Sequence, residues 1–124
     1  MYRLSAKSYS KLEGVHRDLV AVVKRAIEIT SQDFSVGEGL RSIERQRELV
    51  ETGKSTTMNS RHLTGHAVDL FPYPVSWDWE HFYPIADAMK KAAEELNVDL
   101  EWGGDWKSFP DGPHFQLSRK SYPQ

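Results

Sequence analysis

Five histidines and no cysteine bound the chemistry open to this chain of 124 residues. Without thiols there is no disulfide, zinc ribbon, iron–sulfur cluster or thiol nucleophile, so a metal has to be held by His, Asp or Glu. The densest group is Ser60-Arg-His62-Leu-Thr-Gly65-His66-Ala-Val-Asp69. His62 ends a polar loop, whereas Asp69 stands in the apolar run Ala-Val-Asp-Leu-Phe, where a carboxylate is costly to bury unless something pairs with it. A cation is one such partner; a cap or an ordinary ion pair is the other reading. Gly65 lets the backbone bend tightly between two ligands. The second group is Trp102-Gly-Gly-Asp105-Trp106 followed by Asp111-Gly-Pro-His114. Its Gly-Pro turn can bring the Asp111 carboxylate near the His114 ring. Two His and one Asp would leave a zinc site with a net charge of about +1, and an open fourth position lowers the pKa of bound water to about 7. A further carboxylate is then needed to move the proton, and Asp111 is the candidate by spacing.

The remaining histidines carry plainer readings. His62 and His66 stand at i, i+4, the spacing of a helical zinc pair, but the HExxH pattern is absent and Gly65 weakens a helix. His66 therefore reads as a structural residue or one that supports the ligands from outside. His16 and His81 each open a predicted helix and read as ordinary surface or core side chains.

Several elements have to position these groups. Leu19, Val23, Ala26 and Ile27 recur at i, i+4, i+7 and i+8, which predicts an amphipathic helix over 15–29. Residues 34–41 are β-rich and punctuated by glycine, a strand that delivers Arg41. Ser42 is an N-cap for a short helix to about residue 50, and residues 52–61 are a polar loop. Residues 66–71 read as a strand closed by Pro72 and Pro74. A helix follows over 80–97, with Ile85, Met89, Ala92 and Leu96 as its apolar stripe and Pro84 near its first turn. Short strands are expected at 98–102 and 114–117, separated by the Gly103-Gly104 turn and the 110–113 loop. Helices and strands interleave around a small sheet, an α+β domain spanning 1–124.

Composition removes other functions. Residues 1–62 hold 11 Lys/Arg against 8 Asp/Glu, and residues 63–124 hold 5 against 10. The pI of about 6.2 is far from the basic values of nucleic-acid binders, so no nucleic acid is expected as partner. The longest aliphatic run, 19–23, falls well short of the roughly 20 residues that span a bilayer, so no membrane insertion is expected. The opening residues lack the apolar core of a signal peptide, and the expectation is a protein made in the cytosol without an export address.

Ser60-Arg-His62-Leu-Thr-Gly65-His-Ala-Val-Asp69 resembles the S-x-H-x-x-G-x-A-x-D signature of zinc D-alanyl-D-alanine carboxypeptidases and L-alanyl-D-glutamate endopeptidases, the peptidoglycan peptidases typified by phage endolysins. Asp111-Gly-Pro-His-Phe115 is similar to the D-x-P-H-F context of the endopeptidase branch; the carboxypeptidase branch has Trp where Pro113 stands. Leu12-Glu-Gly-Val-His16-Arg-Asp-Leu19 and Glu38-Gly-Leu-Arg41-Ser are similar to its short phage members, with Arg17 in place of a common proline. The similarity runs from about Leu4 to Leu117.

The resemblance implies a small antiparallel sheet with flanking helices around a zinc site, the Hedgehog/D-Ala-D-Ala peptidase type. It implies zinc held by His62, Asp69 and His114, with Asp111 as the general base for the attacking water. Arg41 would polarise the scissile carbonyl or orient a substrate carboxylate, and Ser60 would touch substrate; a surface ion pair and a loop hydrogen bond are their plainer readings. Glu101 is the alternative base. The implied activity is cleavage of the L-Ala–D-Glu bond of the peptidoglycan stem peptide, with D,D-carboxypeptidase action or silent wall binding as rivals. The implied setting is the host cytoplasm, with holin-dependent release to the cell wall and action as a monomer.

Overall fold

The computed structural model describes residues 1–123. Its order is α1 (Ala6–Ser10), α2 (Arg17–Ile29), β1 (Phe34–Glu38), α3 (Ile43–Glu51), β2 (Ala67–Pro72), α4 (Trp79–Leu96), β3 (Leu100–Trp102) and β4 (His114–Leu117). Short 3₁₀ turns at Arg61–Thr64 and Gly103–Asp105 carry the two sequence groups that were singled out for chemistry. The sheet runs β1-β2-β4-β3, and every neighbouring pair is antiparallel.

The predicted stripes pack except at Leu96, which is exposed at the C-terminal end of α4. α2 buries Leu19, Val22, Val23, Ala26 and Ile27, and α4 buries Phe82, Ile85, Ala86, Met89, Ala92 and Ala93. The two helices pack on each other, and α4 crosses β2. Val36, Val68, Leu70, Phe115 and Leu117 meet them from the sheet in one core. Full burial of such side chains contributes about 1.5–3 kcal/mol each before the entropy of ordering is set against it.

Strand alternation sorts the other face. With Val68, Leu70, Phe115 and Leu117 turned to the helices, Asp69, His114 and Gln116 point the opposite way. The register pairs Asp69 with His114 and Glu101 with Gln116. β1 would send Glu38 to the same face as Val36, but the register shifts between them, pairing Val36 with Leu70 and Glu38 with Asp69. Gly37 is the extra residue of this bulge, and a Cβ there would come within 2.3 Å of the Phe71 ring. The bulge thus re-aims Glu38 beside Asp69.

Several expectations need correction. The first strand stops at Glu38, so Arg41 lies beyond it in the turn, with its N–H donated to the carbonyl of His62 at 2.9 Å. α1 was not anticipated; its one legible signal is Ser5, whose hydroxyl accepts the Ser8 N–H at 3.1 Å. The expected strand at 98–102 begins only at Leu100, because Asn97 takes a left-handed φ of 57° and Val98 still donates to Ala93 in closing α4. Pro72 is the last residue of β2 and lies inside the strand it was expected to follow. Pro84 is the sixth residue of α4, beyond its first turn, where it deprives the carbonyl of Glu80 of a helical donor. Other boundaries agree closely. His16 caps α2 by accepting the Asp18 N–H at Nδ1, and Ser42 caps α3 by accepting from Arg45.

Gly65 ends the first 3₁₀ turn at φ 75°, with the carbonyl oxygen of Gly14 2.2 Å from where a Cβ would sit. Gly53 has nearly the same φ, 76°, and nothing within 4 Å. Gly53→Ala is expected to cost about 1–2 kcal/mol from the left-handed backbone alone. Gly65→Ala is expected to cost clearly more, because backbone must also move. Urea midpoints at constant m-value measure both, and equal losses would contradict the steric account.

Candidate metal centre

His62, Asp69 and His114 converge so that one ligand atom from each lies within 4.8 Å of the others. Three separate pieces of backbone bring them there. His62 rides on the Arg61–Thr64 turn, whose entry is capped by Ser60 Oγ accepting the His62 N–H at 3.2 Å. Asp69 and His114 are cross-strand partners on β2 and β4. Asp69 Oδ1 stands 3.2 Å from His62 Nε2 and 3.3 Å from His114 Nδ1.

The outward nitrogens settle the tautomers. His62 Nδ1 is 2.8 Å from the carbonyl of Gly39, which can only accept, so Nδ1 carries the hydrogen. His114 Nε2 is 2.8 Å from Gln116 Oε1. The Gln116 amide is oriented in turn by donating Nε2 to Glu101 Oε1 at 3.4 Å. With both outward nitrogens donating, each neutral ring turns a lone pair toward the Asp69 carboxylate. Three electron-rich atoms then meet with no hydrogen between them, an arrangement that a cation satisfies. Hydrogen bonds from the far ring nitrogens to fixed acceptors are also what orients metal-ligating histidines. The residues fit a metal ion.

Where no cation sits between the three side chains, a proton on the rings takes its place beside Asp69. Burial works to raise the Asp69 carboxyl, but hydrogen bonds and charge from His114 and His62 outweigh it and hold it below the ordinary carboxylate range. Burial likewise opposes protonation of His114, and Asp69 overcomes it, so the imidazole is raised. Asp111 lies in the same cleft. Desolvation along the cleft wall, with the negative charge of Asp69 second, pushes its carboxyl up. Its loop is tied down by Asp111 N–H to the Gly103 carbonyl at 2.9 Å and by His114 N–H to the Asp111 carbonyl at 3.2 Å. Gly103 permits that approach, since a Cβ there would meet the Asp111 carbonyl oxygen at 2.5 Å.

Arg41 lines the cleft but is already engaged. Its Nε donates to Glu38 Oε2 at 3.0 Å, its Nη2 to Glu38 Oε1, and its Nη1 to Gln46 Oε1 at 2.7 Å. Ser60 also lines the cleft, with its hydroxyl capping the turn. Glu101 does not line it and contacts Gln116 from behind. His66 is outside the cluster: its Nδ1 meets Thr64 Oγ1 at 2.7 Å, and its ring lies 5.5 Å from that of His16. His81 sits beside Ser76, 2.8 Å from its hydroxyl.

Gln46 and Gln116 escaped the sequence reading, and Glu38 and Trp106 stood in its motifs without an assigned role. Trp106 sets its ring 5.1 Å from that of His114. Only Gln116 had a local signal, being two residues from His114 on a strand and so on the same face.

The fold is similar to that of the vancomycin resistance D,D-dipeptidase VanXYg. That structure matches with a TM-score of 0.53 at 19% identity, over 83% of this chain and 50% of that one, a likeness of fold alone. Residues 1–121 match the pattern of the phage L-alanyl-D-glutamate peptidase family, and the chain belongs to that family. The L-alanyl-D-glutamate peptidase of Escherichia phage T5 is 30% identical over 128 residues, covering 98% of this chain and 93% of the phage protein. That of Listeria phage A118 is 39% identical over 86 residues, 68% of this chain and 30% of the longer protein. The crystal structure of the Serratia marcescens L-Ala D-Glu endopeptidase ChiX superposes with a TM-score of 0.94 at 50% identity, covering 98% of this chain and 95% of that one.

Two outcomes are expected. Gln116→Leu removes the acceptor that orients His114 and should weaken metal binding about 10–100-fold in a competitive chelator titration. Unchanged affinity would mean the ring is held by packing alone. The His66 imidazolium is disfavoured by burial first, then by Arg61 and His16, so its folded pKa is lowered. That contribution to stability is complete above the unfolded pKa of about 6.5 and is lost as pH falls below it. The metal-free His66→Gln variant should therefore lose less stability than the parent between pH 7.5 and 5, read from denaturant midpoints.

Proposed function

We propose that the chain is a zinc endopeptidase that hydrolyses the L-Ala–D-Glu amide of the peptidoglycan stem peptide, with His62, Asp69 and His114 holding the metal and Asp111 as general base. One observation carries the assignment of the base. Of the carboxylates lining the cleft, Asp69 is shared between two imidazoles and Glu38 is bound by Arg41, which leaves Asp111 uncommitted. The names of the related phage peptidases and of ChiX support the choice of bond.

Bound zinc supplies Lewis acidity toward the scissile carbonyl and acidifies a water molecule. The rest is done by the chain. Asp111 accepts a proton from the water whose oxygen attacks the carbonyl carbon, and a carboxyl raised above its usual value holds that proton better than an unperturbed one. When the C–N bond breaks, Asp111 returns the proton to the departing amine of D-Glu, leaving the L-Ala carboxylate. No serine or other side chain has to form a covalent intermediate. Arg41 has five N–H donors, of which three are used by Glu38 and Gln46, so two remain to steady negative charge on the carbonyl oxygen. Ser60 supports the reaction by holding the turn that carries His62.

All these groups come from one chain, which supports action as a monomer. In a phage or prophage the same enzyme would wait in the host cytoplasm and reach the wall through holin lesions.

Asp111→Asn is expected to lower turnover by about 10²–10⁴-fold while zinc stays bound. Loss of the metal in that variant would make Asp111 a ligand. Mass spectrometry of muropeptides from digested sacculi should show new amino termini at D-Glu. Release of terminal D-Ala instead would identify a D,D-carboxypeptidase, and no release at all a binding module.

A further inference from the structure

We propose that Lys54 and Arg119 form a carboxylate-recognition subsite in the cleft, selecting peptides that carry a free carboxylate beside the scissile amide; this rests on the endopeptidase reading above. The distribution of charge in the cleft carries the idea. Its acidic side chains, Glu38, Asp69 and Asp111, contact Arg41 or belong to the metal centre. Lys54 and Arg119 line the same cleft, and neither makes an ion pair among the described residues. Their neighbour Arg45 makes only an exposed i, i+3 pair with Glu48, the kind of contact worth about 0–1 kcal/mol and easily given up. Unpaired like charges lining a concave surface repel one another and focus a positive potential on whatever enters it.

The Arg119 guanidinium is also held in place, and the backbone that carries Lys54 is fixed. Arg119 Nη2 donates to the Asn59 carbonyl at 3.0 Å, which anchors the guanidinium while leaving its other N–H groups for a ligand. Lys54 follows α3, with its backbone N–H on the Leu49 carbonyl at 2.8 Å. The loop between them is pinned from below by fully buried Gln46, whose Nε2 donates to the Thr57 carbonyl at 2.6 Å and to Ser55 Oγ at 3.0 Å. Arg41 is the poorer carboxylate receptor, because Glu38 already neutralises it through two hydrogen bonds.

The substrate chemistry matches. A glutamate inside a peptide spends one carboxyl on the next amide and keeps the other free, within one residue of the bond that is cut. Amidation of that carboxyl removes the charge while leaving the scissile bond intact.

Two synthetic tripeptides, L-Ala-γ-D-Glu-L-Lys with the glutamate α-carboxyl free or as the carboxamide, test the proposal. With the zinc-loaded enzyme, the free acid is expected to have a KM about tenfold lower. In K54Q/R119Q the ratio should fall to near one, and K54R/R119K should restore most of it. Metal content and thermal midpoint check that the variants are folded. A ratio unchanged in K54Q/R119Q, or absent from the parent enzyme, would overturn the subsite. Equilibrium binding of both peptides to D111N, alone and combined with K54Q/R119Q, reads the same preference without turnover. Equal binding there would reject the subsite whatever bond is cut. Cleavage of neither peptide together with preferential binding of the acid would instead reject the endopeptidase reading and keep the subsite.

Discussion

Asp69 divides one carboxylate oxygen between His62 Nε2 and His114 Nδ1, and the fastening of distant segments follows from keeping that contact. A partly buried carboxylate flanked by two nearly buried rings is tolerable only where its partners are held at bonding distance. β2 and β4 therefore have to keep the register that sets Asp69 opposite His114. The Arg61–Thr64 turn has to present His62 to the same point, and its ring is held from the far side by the Gly39 carbonyl. Arg61 points elsewhere, donating to the carbonyls of Leu117 and Tyr122, and so ties the segment after β4 to the turn that carries His62.

The sheet separates two tasks by its alternation. One face gives Val36, Val68, Leu70, Phe115 and Leu117 to a core shared with α2 and α4, which supplies the stability. The other face holds the polar groups, whose burial costs free energy unless every donor finds an acceptor. Those groups are joined in series. Glu101 orients Gln116, and Gln116 orients His114. On the far edge, Glu38 holds Arg41, and Gln46 bridges Arg41 to the loop that contributes Ser55 and Thr57. Catalytic geometry of this kind depends on side chains with no direct contact to substrate, because they determine how far the reacting groups can drift.

Much of the framework was readable along the chain. The apolar stripes at helical period located α2 and α4, and Ser42 was seen as the cap of α3. The last strand was placed at the observed residues, His114–Leu117. Asp69, Asp111 and His114 stood out because an isolated polar residue in an apolar run, or a Gly-Pro turn before a histidine, has a local signature. His62, at the end of a polar loop, was assigned through the resemblance to the peptidase signature. Glu38 and Arg41 were harder. The strand was expected to deliver Arg41, and the bulge at Gly37 ends it earlier while turning Glu38 toward Asp69. A bulge reflects the fit of two strands, here the closeness of Phe71 to Gly37, and neither strand announces it alone. Glu101 shows the same difficulty. Its spacing allowed it to be a base, but its strand partner Gln116 keeps it behind the ligands.

The ligand set came from the resemblance to the peptidase signature. Residue type and short-range spacing by themselves bounded the donor chemistry, since a thiol-free chain can hold a cation only with His and carboxylate, and they located the helices that carry the core. Those properties are local, since periodicity, capping and the cost of burying charge act over a few residues. Tertiary structure decided which ring nitrogen faces Asp69, which carboxylate stays uncommitted and which cations stay unpaired. Each of those outcomes is a distance between residues far apart in sequence, set only when the strands pair in one register and the loops close over them.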